Sequence, residues 1–122
     1  MLETSLKIWR KKELNKGARK FIRFYDNRFK YENNEIVIDD IVWDDELIEM
    51  IEFIKISGIE KFYISDSSTA LKNVLYNFIT NGFTITGAKT IKSRYYKHEE
   101  FNDKTNVLEI SVNFIQCGPC YC

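Results

Sequence analysis

Proline occurs once in these 122 residues, glycine five times and histidine once, and 18 lysines and arginines cancel 18 aspartates and glutamates. Each scarcity excludes something. So little proline and glycine argues against a disordered or low-complexity chain. A lone histidine, His98, removes most Ser/His/Asp and Cys/His schemes of nucleophilic catalysis unless His98 itself is the base. It lies in the run Tyr95-Tyr96-Lys97-His98-Glu99-Glu100, which has the composition of a solvated loop. No apolar run approaches the roughly 20 residues that a membrane-spanning helix requires. The start, Met1-Leu2-Glu3-Thr4, alternates charged and apolar residues and lacks the apolar stretch of a signal peptide. The expectation is a cytoplasmic protein that makes no use of a membrane. Zero net charge also disfavours dedicated nucleic-acid binding, although Trp9 among Arg10, Lys11, Lys12 and Arg19 has the composition of a phosphate-backbone contact.

Aromatic residues, by contrast, are abundant: nine Phe, seven Tyr and two Trp bring the aromatic share to 15%. Large aromatic side chains can fill an interior that has few leucines and valines. Charge is balanced in total but segregated in sequence. Residues 1–30 are rich in lysine and arginine, from Lys7 to Lys30. Residues 31–60 hold ten acids against Lys55 alone. Such blocks either face each other in the fold or make a dipolar surface that orients a charged partner.

Periodicity predicts one α/β (α+β) domain over residues 1–116 with a cysteine-containing tail at 117–122. Residues 4–16 read as a basic amphipathic helix stopped at Gly17. Lys20–Tyr25, a short strand around Phe29 and Tyr31, and Glu35–Trp43 read as an antiparallel meander with turns at Asp26-Asn27 and Asn33-Asn34. Asp44 or Asp45 caps an acidic helix ended by Gly58. The firmest unit is strand–helix–strand, residues 59–91. Phe62-Tyr63-Ile64 forms its first strand. Leu71, Val74, Leu75, Phe78 and Ile79 make the apolar stripe of its helix, and Gly82 closes that helix before a strand interrupted at Gly87. Residues 98–106 read as a polar loop, and Leu108, Ile110, Val112 and Phe114 alternate in a final half-buried strand. The predicted order is α-β-β-β-α-β-α-β-β in a single mixed sheet, with parallel neighbours where a helix links two strands.

That order, with Phe78-Ile79-Thr80-Asn81-Gly82-Phe83, resembles the GNAT acyltransferase fold. The resemblance implies a coenzyme A pyrophosphate site at the helix after the meander. There, however, Ile41-Val42-Trp43-Asp44-Asp45-Glu46 offers no glycine and no arginine, and three acids would repel a pyrophosphate. A second resemblance covers residues 47–96. The acidic helix, Ile64-Ser65-Asp66-Ser67-Ser68-Thr69-Ala70-Leu71, Asn81-Gly82-Phe83 and Arg94-Tyr95 are similar to small uncharacterised proteins of phages and mobile elements of Gram-positive bacteria. That resemblance implies a role in host interaction or anti-defence and carries no activity with it.

Candidate sites follow from position and chemistry. Asp66, Ser67, Ser68 and Thr69 end a strand and begin a helix, where hydroxyls and free N–H groups either bind a small anion or simply cap the helix. Arg94, Tyr95 and Tyr96 are residue types favoured as interface anchors. Cys117-Gly118-Pro119-Cys120 matches a thioredoxin-type dithiol as a string, but it follows a strand and has no helix to lower a thiol pKa. Cys117, Cys120 and Cys122 offer three thiolates to zinc, with His98 as the fourth ligand if its loop folds back. The resulting expectation is a non-enzymatic interaction or inhibitor module of phage or mobile-element type, with a protein partner and no cofactor. A divergent acyltransferase or acyl-CoA binder, and a thiol or zinc site in the tail, are the alternatives; a homodimer is the other form of association considered.

Overall fold

The computed structural model describes residues 14–40, 42–66, 70–95 and 100–112. Three helices, α1 (Lys16–Asp26), α2 (Asp44–Ser57) and α3 (Leu71–Thr80), are combined with four strands. These are β1 (Val37–Ile38), β2 (Lys61–Ser65), β3 (Phe83–Tyr95) and β4 (Glu100–Val112). They form one mixed sheet in the order β1-β2-β4-β3. β1 and β2 are parallel across α2, as a strand–helix–strand unit requires. In the second unit β4 inserts antiparallel between β2 and β3, so these two strands run parallel without touching. No helix among the described residues is long and apolar enough to cross a membrane.

The expected meander is replaced by a helix and a two-residue strand. Lys20–Tyr25 lies within α1, because Ala18, Phe21, Ile22 and Tyr25 follow a helical i, i+3, i+4, i+7 pattern and are all buried. Gly17 is not a stop but part of the first turn of α1. A Cβ there would lie 2.2 Å from the Glu46 carbonyl oxygen and 2.5 Å from the Met50 nitrogen, so glycine lets α1 press against α2. Asn15 caps α1 by accepting from the Ala18 N–H at 3.0 Å. Around Phe29 and Tyr31 the chain makes two 3-10 turns, Arg28–Lys30 and Glu32–Asn34, and only Val37 and Ile38 of the third expected strand pair with the sheet. The three-strand start on which the GNAT resemblance leaned is thus not found. The expected helix over 4–16 lies almost wholly outside the described residues.

The segregated charges face each other. Lys16 meets Asp45 at 2.8 Å, and the buried Lys20 meets Glu46 at 3.5 Å. Glu49 accepts from the Gly17 N–H at 2.9 Å. α1 has no acid in its first turn; Glu49, from the neighbouring helix, supplies the negative charge that a helix N-terminus favours. Glu46 also accepts from the Trp43 N–H at 3.0 Å and so closes the start of α2, where Asp44 or Asp45 was the expected cap. Gly58, at φ +86°, ends α2.

All three helices cover one face of the sheet. Their apolar residues merge with Ile38, Phe62, Ile64, Phe83, Ile110 and Val112 in a single core. Phe62 lies at its centre, with ring centroids 5.9 Å from Phe21, 5.2 Å from Phe78 and 6.0 Å from Phe83. Tilted and edge-on contacts suit the aromatic quadrupole. Ile79, expected in the core, is exposed instead. The expected loop at 100–106 belongs to β4, which pairs with β3 from Val112 to Glu100.

Candidate functional site

The opposite face carries no helix among the described residues, and its shape is set by bulges. Register shifts at Ile85–Gly87 and Ser93–Arg94 bend the β3–β4 hairpin. Tyr31 bridges to Ser93, and Glu32 accepts from the Lys92 N–H at 2.8 Å. A few residues on, the Ile36 carbonyl accepts from the Tyr63 N–H at 2.9 Å. Residues 31–36 therefore touch β3 at one end of the sheet and β2 near the other, which requires the sheet to curl toward them. The floor of this concave face is a small second core of Tyr31, Val37, Tyr63, Ile91 and Val107. Tyr31 donates its hydroxyl proton to Asp39. Burial first, and this bond second, push its phenol pKa well up.

Beside the floor lies a polar network around Tyr63. Its hydroxyl donates to Glu109 Oε2 at 3.2 Å, and Lys61 Nζ lies 3.6 Å from the same oxygen. Thr86 donates to Glu109 Oε1 at 2.7 Å, and its hydroxyl is 3.1 Å from that of Ser111. Lys89 Nζ sits 4.8 Å from the centre of the Tyr63 ring and 2.7 Å from Glu35 Oε2. The other oxygen, Glu35 Oε1, is buried without a hydrogen-bond partner among the described residues. Strand alternation explains the assembly. Lys61 and Tyr63, Glu109 and Ser111, and Lys89 and Ile91 are each two residues apart and point to the same side of the sheet.

The electrostatics follow from these contacts. The Thr86 hydroxyl, then Tyr63 and Lys61, hold the Glu109 carboxyl below its ordinary range. Glu35 raises the Lys89 ammonium. Burial raises the Tyr63 phenol. Two lysines face two carboxylates, and the phenol between them keeps its proton. Raising a phenol moves it away from the neutral range in which a general base or nucleophile works. The arrangement can present hydrogen bonds and charge of both signs around a phenol that is itself buried; it does not activate Tyr63.

The residues singled out from sequence stand elsewhere. Asp66 is exposed at the end of β2, where its N–H donates to the Asn106 carbonyl at 2.9 Å. With Thr90, Asn106 and Leu108 it lines an open cavity of about 290 Å³. Neither Asp66 nor a serine is the N-cap of α3. Ala70 is, in the left-handed conformation with φ 61° and with no side-chain cap bond. Ser67, Ser68 and Thr69 lie outside the described residues. Arg94 and Tyr95 are in β3, paired with Phe101 and Glu100 in the distal hairpin. Tyr96, His98, Cys117, Cys120 and Cys122 also lie outside the described residues. Among the described residues no group of three or more His, Cys, Asp or Glu side chains is arranged to hold a metal ion. At the start of α2, Asp44 accepts from Asn73 at 2.7 Å, Asp45 pairs with Lys16, and Glu46 accepts from Trp43. That helix terminus is already filled with negative charge.

Sequence reasoning missed the Tyr63 network. Its signal was present in the polar positions that alternate with core residues, Lys61 and Tyr63 in one strand and Glu109 and Ser111 in another. No curated protein and no solved structure matches the chain significantly. A family model matches residues 20–113, from the first turns of α1 through the end of β4, and the chain belongs to that family, a domain of unknown function (DUF7698).

Proposed function

We propose that this protein is a non-enzymatic interaction module that receives a protein partner on the concave face around Tyr63. The observation that carries the reading is the Tyr63–Glu109–Lys61–Lys89–Glu35 network itself. It lies on a sheet face that no described helix covers. Its charges are mutually compensated and its phenol stays protonated, which suits recognition better than proton transfer. The exposed Lys61, Thr86 and Lys89 and the half-buried Glu109, set around the buried Tyr63, offer a partner charge of both signs and hydrogen-bonding groups. The similarity of residues 47–96 to phage and mobile-element proteins points to a host protein as the partner and to inhibition as the outcome.

The test is a photo-crosslinking amino acid placed at Ser111 and irradiated in host cells. The expected result is one reproducible adduct with a host protein, reduced at least several-fold by Tyr63→Phe combined with Glu109→Gln. An absence of adducts, or adducts indifferent to that double substitution, overturns the reading.

A further inference from the structure

β3 carries one residue more than its pairing needs. Ile85 lies opposite Ile110 and Gly87 opposite Glu109, so Thr86 has no counterpart on β4. A bulge of this kind leaves the extra residue outside the ladder and re-aims its side chain. The register does not require it. Without Thr86, Ile85 and Gly87 would follow one another against Ile110 and Glu109, and the other side chains of β3 would keep the faces they have now. Lys89 would still stand over the Tyr63 ring, and Ile91 would still belong to the concave floor. The extra residue is therefore explained by what it adds rather than by the pairing.

What it adds is a hydroxyl at a place where the ladder supplies none. In the cross-strand row Tyr63, Glu109, Gly87, the neighbour of Glu109 on the β3 side has no side chain. The carboxylate leans over that position, with Oε1 4.0 Å from where a Gly87 Cβ would stand. Thr86 reaches in from the bulge and donates to Oε1 at 2.7 Å. A threonine hydroxyl has one proton to give, and here it is committed to Glu109. With Oε1 taken, Oε2 receives the Tyr63 hydroxyl at 3.2 Å and faces the Lys61 ammonium at 3.6 Å. At that distance Lys61 is held by charge rather than by a hydrogen bond. Its side chain is 53% exposed, which leaves its N–H donors available to a partner.

We infer that Thr86 is a positioning residue for the concave face: the bulge holds its hydroxyl on Glu109 Oε1, which fixes the carboxylate and, through it, the Lys61 ammonium that a partner meets. Thr86 acts through Glu109. Ordering a carboxylate and a lysine before association removes part of the side-chain ordering cost that binding otherwise carries. The inference rests on the reading of this face as a recognition surface, but the positioning itself is a property of the free protein.

The experiment compares Thr86→Val, which keeps the shape and removes the hydroxyl, with Thr86→Ser, which keeps the hydroxyl. Thr86 is exposed, so neither change enters the core. Side-chain J couplings report the Glu109 rotamer in the free full chain, and the yield of the Ser111 adduct reports recognition. The expected result is a single Glu109 rotamer in the wild type and in Thr86→Ser, and averaging between rotamers in Thr86→Val. The adduct should fall several-fold with Thr86→Val and return with Thr86→Ser. A single Glu109 rotamer in Thr86→Val overturns the inference, as does an adduct that is indifferent to Thr86→Val once Glu109 is loosened. A wild type that gives no adduct overturns the recognition reading instead, and the Glu109 couplings then decide the positioning by themselves.

Discussion

The two faces of the sheet use opposite chemistry. On the covered face, twenty buried residues among those described, from three helices, the sheet and the loop positions Val42 and Ile59, pack as one core centred on Phe62, and the phenylalanine rings interlock at 5.0–6.2 Å. On the concave face the apolar floor has five residues, and the remaining surface is a hydrogen-bonded network of lysines, glutamates, Thr86, Ser111 and Tyr63. Burying apolar area contributes most of the stability of a domain, whereas partly exposed ion pairs contribute little. The fold therefore rests mainly on the helix side, and the concave side adds a smaller share of stability through its five-residue core. A polar network that adds little to stability is a candidate for recognition.

That contrast can be broken first at Phe62. Phe62→Ala removes the ring at the centre of the aromatic cluster and should cost about 3–5 kcal/mol, read as a shift in the urea midpoint. Next comes the helix seam. Gly17→Ala forces a methyl against the Glu46 carbonyl oxygen and the Met50 nitrogen, backbone atoms that cannot step aside. Separating α1 from α2 should cost about 1–3 kcal/mol and weaken the Lys20–Glu46 pair. On the concave side, Tyr63→Phe keeps the packed ring and loses the hydroxyl that donates to Glu109. The expected loss is about 1 kcal/mol by the same denaturation assay. A loss as large as that of Phe62→Ala would make the network structural.

How much of this was legible depends on which signal each element carries. The stripe Leu71–Val74–Leu75–Phe78 and the glycine at 82 announce α3 because helical spacing and a left-handed stop coincide, and Gly82 indeed has φ +95°. α1 hid behind composition. Lys-Phe-Ile-Arg-Phe-Tyr is rich in the aromatic and β-branched types that favour strands, and its helical spacing shows only when Ala18 is counted with Phe21, Ile22 and Tyr25. Gly17 looked like a terminator because close helix packing and helix stopping ask for the same residue. The polar stretch 100–106 looked like a loop because its strand extends past the helix layer: Asp103, Lys104 and Asn106 are exposed, and Thr105 is half-buried. The site was hidden for a different reason. Glu35 and Lys89 are far apart in sequence, and only the curl of the sheet brings them together.

The smallest effect concerns pH. Glu109 has a folded-state pKa below its ordinary value of 4.5. Its contribution to stability is therefore complete above that value and is lost as pH falls through the lowered folded pKa. Thr86→Val removes the largest cause of the depression, so the Glu109 carboxyl should titrate at higher pH, as followed by its side-chain NMR resonance. An unmoved titration would mean that Tyr63 and Lys61 alone set the carboxylate.

The most direct test of the recognition account compares the two faces in one experiment. Photo-crosslinkers are placed singly at Ser111 on the concave face and at Glu52 on the exposed side of α2, and adducts are weighed after irradiation in host cells. The account predicts a discrete host-protein adduct from Ser111 and none from Glu52. Equal labelling from both positions, or none from Ser111, would contradict it.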